Sequence, residues 1–247
     1  GPQGKRAFIF DDTSLEKTGK YIEGVSRIWD HVHHKHILGF RLLVMGLYTG
    51  TMFIPLFFSL HREGKNNKNK PFGLLKKYIR KQFRKKRTSQ TPGAKRKKEL
   101  DKSKIVMLIE MLSMALDMGI KADYILTDSW FSCFKVVETA IKYSLTYIGM
   151  FSKPKTKFLY NNKNMTYEEI RKKGGKKIKR NRRFGLYYVS YKVKWHGYEI
   201  MLHASRKGKK GKWKYILNTD LSMSFMKTIE TYQIRWSIEV FFKESKQ

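Results

Sequence analysis

The stretch TYQIRWSIEVFFKESK, Thr231 to Lys246, decides how the chain is read. It contains neither Gly nor Pro and spaces its apolar residues as one amphipathic helix would. Each residue of such a helix advances by about 100°, which gathers Tyr232, Arg235, Glu239, Lys243 and Lys246 within about 80°. Ile234, Ile238, Phe241 and Phe242 fall on the opposite side, the side expected to dock on a core. The polar side then presents one carboxylate ringed by a phenol and three cations. That set suits a metal ion beside phosphates. An ordinary solvated face with i,i+4 charge pairs is the alternative.

Upstream, two short apolar runs end in acids. Ala7 to Phe10 closes on Asp11-Asp12-Thr13, and Tyr124 to Thr127 closes on Asp128. A buried strand that ends in an acid brings a carboxylate to the edge of a sheet, within reach of a ligand. A turn or a helix cap is the alternative for Asp11, and a helix cap for Asp128, which could serve in both ways. Ser129-Trp130-Phe131 reads as the opening of a helix to about Tyr143.

Tyr232, Arg235, Glu239 and Lys246 are separated by two, three and six residues. They resemble the Y-R-E-K signature of bacterial insertion-sequence transposases of the insertion sequence 4 (IS-4) family. The resemblance implies an α/β, RNase H-like (retroviral integrase-type) fold, a mixed sheet flanked by helices with a β-rich insertion before the last helix. It makes Glu239 the third acid of a DDE triad whose other members are Asp11 and Asp128. Asp11 fits the first position better than Asp12, and a slip of one residue along a strand turns the side chain to the other face. The implied organisation is a leader over 1–6, catalytic core over 7–152 and 213–247, and the insertion over 153–212. Within 1–6, Gly1-Pro2 resembles a protease scar and is set aside.

Composition agrees with a polyanionic partner. The 247 residues carry a formal charge of +33, which opposes compaction unless nucleic acid, or secondly an acidic membrane surface, neutralises it. The single cysteine, Cys133, excludes an internal disulfide. Lys65 to Lys98 holds many Lys and Arg and no acid, and is expected to contact phosphates, with Arg84 to Lys98 mobile. Leu42 to Leu60 carries no charge. It reads as two strands, Ile37 to Gly46 and Thr51 to Leu60, rather than as a membrane helix. His31, His33, His34 and His36 precede them and read as a polar strand edge or a DNA-facing loop rather than a metal site. Further expectations are a helix from Glu99 to Met118, a strand from Leu145 to Phe151, a hairpin of Leu186–Trp195 and Tyr198–Ser205 around His196-Gly197, and a strand from Tyr215 to Asn218.

The resemblance supplies the chemistry. Asp11, Asp128 and Glu239 are expected to hold two Mg²⁺ or Mn²⁺ ions, Asp11 bridging both, for cleavage at transposon ends and strand transfer through a hairpin intermediate. Arg235, Lys246 and Tyr232 would grip phosphates, with Lys243 beside them. Trp213, with Trp195 in reserve, would stack on a flipped base. The implied partners are double-stranded DNA, as terminal inverted repeats and target, and a second copy of the chain; no membrane partner and a cytoplasmic location are expected. A non-catalytic DNA-binding derivative and an RNase H-like nuclease without strand transfer are the competing readings.

Overall fold

The computed structural model describes residues 4–64 and 67–246. Gly1 and Pro2 lie outside them, as do residues 65 and 66 of the basic segment. In chain order the elements are β1 (Ala7–Glu16), β2 (Ser26–Asp30), β3 (Lys35–Tyr48), β4 (Phe53–His61), α1 (Lys76–Ile79), α2 (Pro92–Glu99) and α3 (Lys104–Asp117). They continue with β5 (Tyr124–Thr127), α4 (Phe134–Lys142), β6 (Thr146–Phe151), β7 (Lys157–Tyr160), β8 (Lys163–Thr166), α5 (Tyr167–Lys173) and β9 (Lys179–Asn181). The last are β10 (Leu186–Trp195), β11 (Tyr198–Lys207), β12 (Lys214–Asn218), α6 (Phe225–Tyr232) and α7 (Trp236–Glu244), with a 3₁₀ turn Gln233–Arg235 between α6 and α7. The protein is a mixed α/β chain. Its contacts divide it into two units: residues 1–10, 47–54 and 120–247, and residues 11–46 and 55–119.

In the first unit the strands follow the order β1-β5-β6-β12-β11-β10-β7-β8, with β9 paired to β10. The start of β1, β5 and β6 run parallel, and the rest are antiparallel. Ala7, Phe8, Ile9 and Phe10 are fully buried, as are Ile125, Leu126 and Thr127. Parallel strands covered on both faces need such unbroken apolar runs. In β10, Val189, Tyr191, Val193 and Trp195 are buried while Lys192 and Lys194 are exposed, the alternation of a strand with one wet face. His196 (φ 47°) and Gly197 (φ 88°) close the β10–β11 hairpin, both in the left-handed region that a two-residue hairpin turn demands. Residues 153–212 thus extend the sheet that β12 joins.

In the second unit β2 pairs antiparallel with β3 from Ser26↔Gly39 to Asp30↔Lys35. β1 and β4 also neighbour β3. Lys17 N donates to Leu38 O at 2.8 Å. Val25, Leu38, Phe40, Leu74 and Leu100 form an apolar cluster, with Leu60, Ile79 and Phe83 packed against it. α3 buries Met107, Leu108, Met111, Leu112 and Ala115 on one stripe. Gly119 follows it at φ +75°, as a left-handed helix stop requires.

Several expectations need correction. β1 does not end at Phe10 but runs on through both acids to Glu16. Of the two strands expected between Ile37 and Leu60, the first is longer, Lys35–Tyr48, and the second is shifted to Phe53–His61; they meet at a turn closed by Thr49 N donating to Met52 O at 3.0 Å, with Pro55 inside β4. Part of the segment expected to be mobile folds as α2, whose N-cap Thr91 side chain accepts from Ala94 N and whose first residue is Pro92. The helix expected from Glu99 starts at Lys104, after the Ser103 cap. Thr231–Lys246 is not one regular helix. It takes in the end of α6, the 3₁₀ turn and α7. Among the described residues no helix is long and apolar enough to cross a membrane.

Candidate functional site

The parallel register of β1 and β5 pairs Ala7 with Tyr124 and ends with Phe10 opposite Thr127. Asp11 follows Phe10 in the chain, and Asp128 follows Thr127. Asp128 does not cap α4, the alternative that the sequence offered. Its Oδ1 accepts from Trp130 N at 2.9 Å and Phe131 N at 3.2 Å, and the α4 N-cap is Cys133, with no side-chain cap bond. The carboxylate is therefore fixed by its own turn.

Beneath that turn lies a buried polar chain. Tyr147 Oη meets Thr127 Oγ1 at 2.9 Å and Ser132 Oγ at 2.5 Å, and Ser132 Oγ also donates to Met150 O and is within 3.1 Å of Asp128 O. Burial first of all pushes the Tyr147 phenol up, against the pull of its Ser132 and Thr127 bonds. Gly149 leaves room for that phenol: a Cβ there would collide with Tyr147 Oη and Ser132 Oγ.

Asp11 and Asp12 have different surroundings. Asp11 Oδ1 accepts from the Asp12 amide at 2.8 Å. Asp12 Oδ2 takes Lys104 Nζ at 3.0 Å and lies 4.0 Å from Arg41 Nε. Arg41 in turn reaches Glu63 Oε1 at 3.1 Å, Ser14 Oγ at 2.8 Å and Trp29 O. The side chains of Asp12, Arg41 and Lys104 are only 15%, 10% and 16% exposed, so this is an interior ion network that neutralises Asp12. Close by, His61 sits between Ser59 Oγ at 2.7 Å and Lys102 O at 3.0 Å. Burial, the largest cause, lowers its pKa. Sequence reading missed the whole network, since Lys104 lies 92 residues from Asp12 and no local spacing announces the pair.

At the other end of the chain Tyr232 ends α6, Arg235 closes the 3₁₀ turn, Glu239 lies in α7 and Lys246 follows that helix. Arg235 donates to Glu239 Oε1 in an i,i+4 ion pair, and its guanidinium lies 5.7 Å from the Tyr232 ring centre. Arg235 is buried, whereas the Glu239 side chain is 43% exposed. The face that docks is therefore Ile234, Arg235 and Ile238, while Trp236 and Val240 are exposed. The 3₁₀ turn winds at about 3.0 residues per turn and rotates the faces away from those a uniform helix would give. Lys243 and Lys246 are exposed. Lys5 Nζ donates to Thr231 Oγ1 at 2.5 Å; burial first, then Lys227, lowers the Lys5 pKa.

The two tryptophans part company. Trp195 is core, packed on Phe134, Phe151 and Phe158. Trp213 is half-buried, its ring flanked by the guanidinium groups of Arg206 at 4.7 Å and Arg171 at 4.9 Å. Among the described residues no three His, Cys, Asp or Glu side chains lie close enough together to hold one metal ion.

Comparison with known proteins gives one informative match. The sequence model of a family described as DDE superfamily endonuclease matches residues 1–214, a span that contains Asp11 and Asp128 and stops short of Glu239. Among curated proteins none matches this chain. Among solved structures, the NurA nuclease from Sulfolobus solfataricus is similar at 11% identity and a TM-score of 0.36, over 95% of this chain and 73% of that one. A likeness that slight carries no argument here.

Proposed function

From the premise that this chain belongs to the DDE superfamily endonucleases, we propose that it cuts DNA with Asp11, Asp128 and Glu239 on an RNase H-like core, as a transposase of the IS-4, Y-R-E-K kind. The observation that supports this best is the register of β1 and β5, whose last paired residues immediately precede Asp11 and Asp128. One carboxylate just past the paired stretch of β1 and one just past the end of β5 are a sound start for a metal site.

The donor set fits hard divalent ions, Mg²⁺ or Mn²⁺, because all three side chains offer carboxylate oxygen. When bound, a pair of such ions activates a nucleophile and steadies the leaving oxygen of an in-line phosphoryl displacement. Asp128 is held for this role by the amides of its own turn. Glu239 must exchange Arg235 for its new partner. Arg235 then grips a phosphate in bidentate fashion, Lys246 and Lys243 add point charges, and Tyr232 donates a hydrogen bond. Trp213 is the base-stacking candidate. The substrates are double-stranded DNA at terminal inverted repeats and in the target, with a homodimer as the working assembly.

The second reading, a nuclease without strand transfer, is favoured by the family's description as endonuclease. Incubation with Mn²⁺ and inverted-repeat DNA separates the readings. Joined products support the transposase, and nicks alone support the nuclease. Band shifts without cleavage in any divalent metal sink both.

A further inference from the structure

The second unit carries a cationic groove of about 760 Å³ whose lining includes Tyr21, Glu23, Lys81, Arg84, Lys85 and Arg87. Its two walls are tied together. Gln82 is buried; its Oε1 accepts from Gly24 N at 3.2 Å, and its Nε2 donates to Lys20 O at 3.1 Å and Val25 O at 3.3 Å. Arg87 pairs with Glu23 at 2.6 Å across the same walls. The one acid in the lining is thus answered, while Lys81, Arg84 and Lys85 remain exposed on the other wall.

Aromatic rings line the same place. Tyr21 is 54% exposed and meets Tyr78 edge-on at 5.7 Å. Lys81 lies 6.0 Å from the Tyr21 ring centre, and Lys20 and Lys77 lie 5.1 Å and 5.4 Å from that of Tyr78. Cations alone would suit any polyanion. An exposed tyrosine ring among them can stack on a base only where that base is unstacked, because a duplex hides its base faces.

We infer that this groove binds single-stranded DNA, with Lys81, Arg84 and Lys85 on the phosphates and Tyr21 stacking on a base. The inference goes beyond the proposed cutting chemistry and shares no residue with it. It is tested without metal, in EDTA, so that loss of cleavage and loss of this site are distinguishable. The measurement is fluorescence anisotropy with labelled oligothymidylate of about 12 nucleotides, beside a duplex of the same length.

Tyr21→Ala is expected to weaken oligothymidylate binding about tenfold and leave the duplex unchanged, with Tyr21→Phe close to the parent. The combined Lys81→Gln, Arg84→Gln and Lys85→Gln variant is expected to lower the salt slope for the single strand by about 2. Unchanged oligothymidylate binding in Tyr21→Ala, or an equal loss on the duplex, overturns the inference. So does an unchanged salt slope in the triple variant.

Discussion

Arg235 holds Glu239 one helical turn on, a buried guanidinium gripping an exposed carboxylate. On the proposed reading Glu239 would leave this partner to hold a metal ion. Glu239→Ala is expected to reduce Mn²⁺-dependent DNA cleavage by at least about a hundredfold, a ligand counting for no less than its supporting partners. DNA affinity should change little. Retained cleavage in this variant ends the assignment of Glu239.

Arg235→Lys keeps the charge and loses the planar fork. It is expected to behave nearly as poorly as Arg235→Ala, with weaker binding at DNA ends and impaired processing after the first nick. Wild-type yields of later products from Arg235→Lys would show that a point charge suffices.

Asp11 and Asp12 are separated by one bond and by their expected phenotypes. Asp12→Ala strips a partner from Lys104 and Arg41 in a mostly buried network, and should cost roughly 3 kcal/mol in chemical denaturation. Asp11→Ala should abolish cleavage and lower the denaturation midpoint by less than Asp12→Ala does. The reverse pattern would move the catalytic acid to Asp12.

His203 predicts a pH dependence of stability. Its Nδ1 meets Ser190 Oγ at 2.7 Å, and burial lowers its pKa from 6.5 to about 4. Above pH 6.5 neither folded nor unfolded chain protonates it, and stability is full. As pH falls from 6.5 to about 4 the unfolded chain takes up a proton that the folded chain refuses, at a cost on the order of 3 kcal/mol. Asp30, held at about 2 first by its bond to the His33 side chain and then by the Val32 amide, acts lower, below pH 3.8. Denaturation midpoints at pH 7, 5.5 and 4.5 check the His203 window; a flat profile sinks it.

The turn that carries Asp128 depends on the phenol beneath it. Tyr147→Phe should cost about 1–3 kcal/mol, because Thr127 and Ser132 lose a buried partner. Gly149→Ala should cost a similar amount by overpacking. Thermal melting of both variants is the check, and no loss in either would mean that the pocket relaxes freely.

What was legible in the sequence was what local pattern controls. The β10–β11 hairpin follows from alternation around His196-Gly197, and β5 from an unbroken apolar run. β1 was half legible: Ala7 to Phe10 reads as a strand, but Leu15 and Lys17 lie beside β3, a pairing that local pattern does not announce. β2 has five mixed residues and is made by its partner. α2 has hardly any apolar residue and rests on a capping threonine and a first-turn proline, so charge hid it. In the site, the position of Asp128 after a strand was readable, whereas its Asx turn was not. The ion network around Asp12 was invisible because its members come from distant segments.

The way the two units share the chain limits how it can be dissected. Residues 11–46 and 55–119 form one unit, and the other is assembled from three separate pieces. β1, β3 and β4 each begin in one unit and finish in the other. No single proteolytic cut releases either half intact. Any fragment that isolates one half must break all three of those strands.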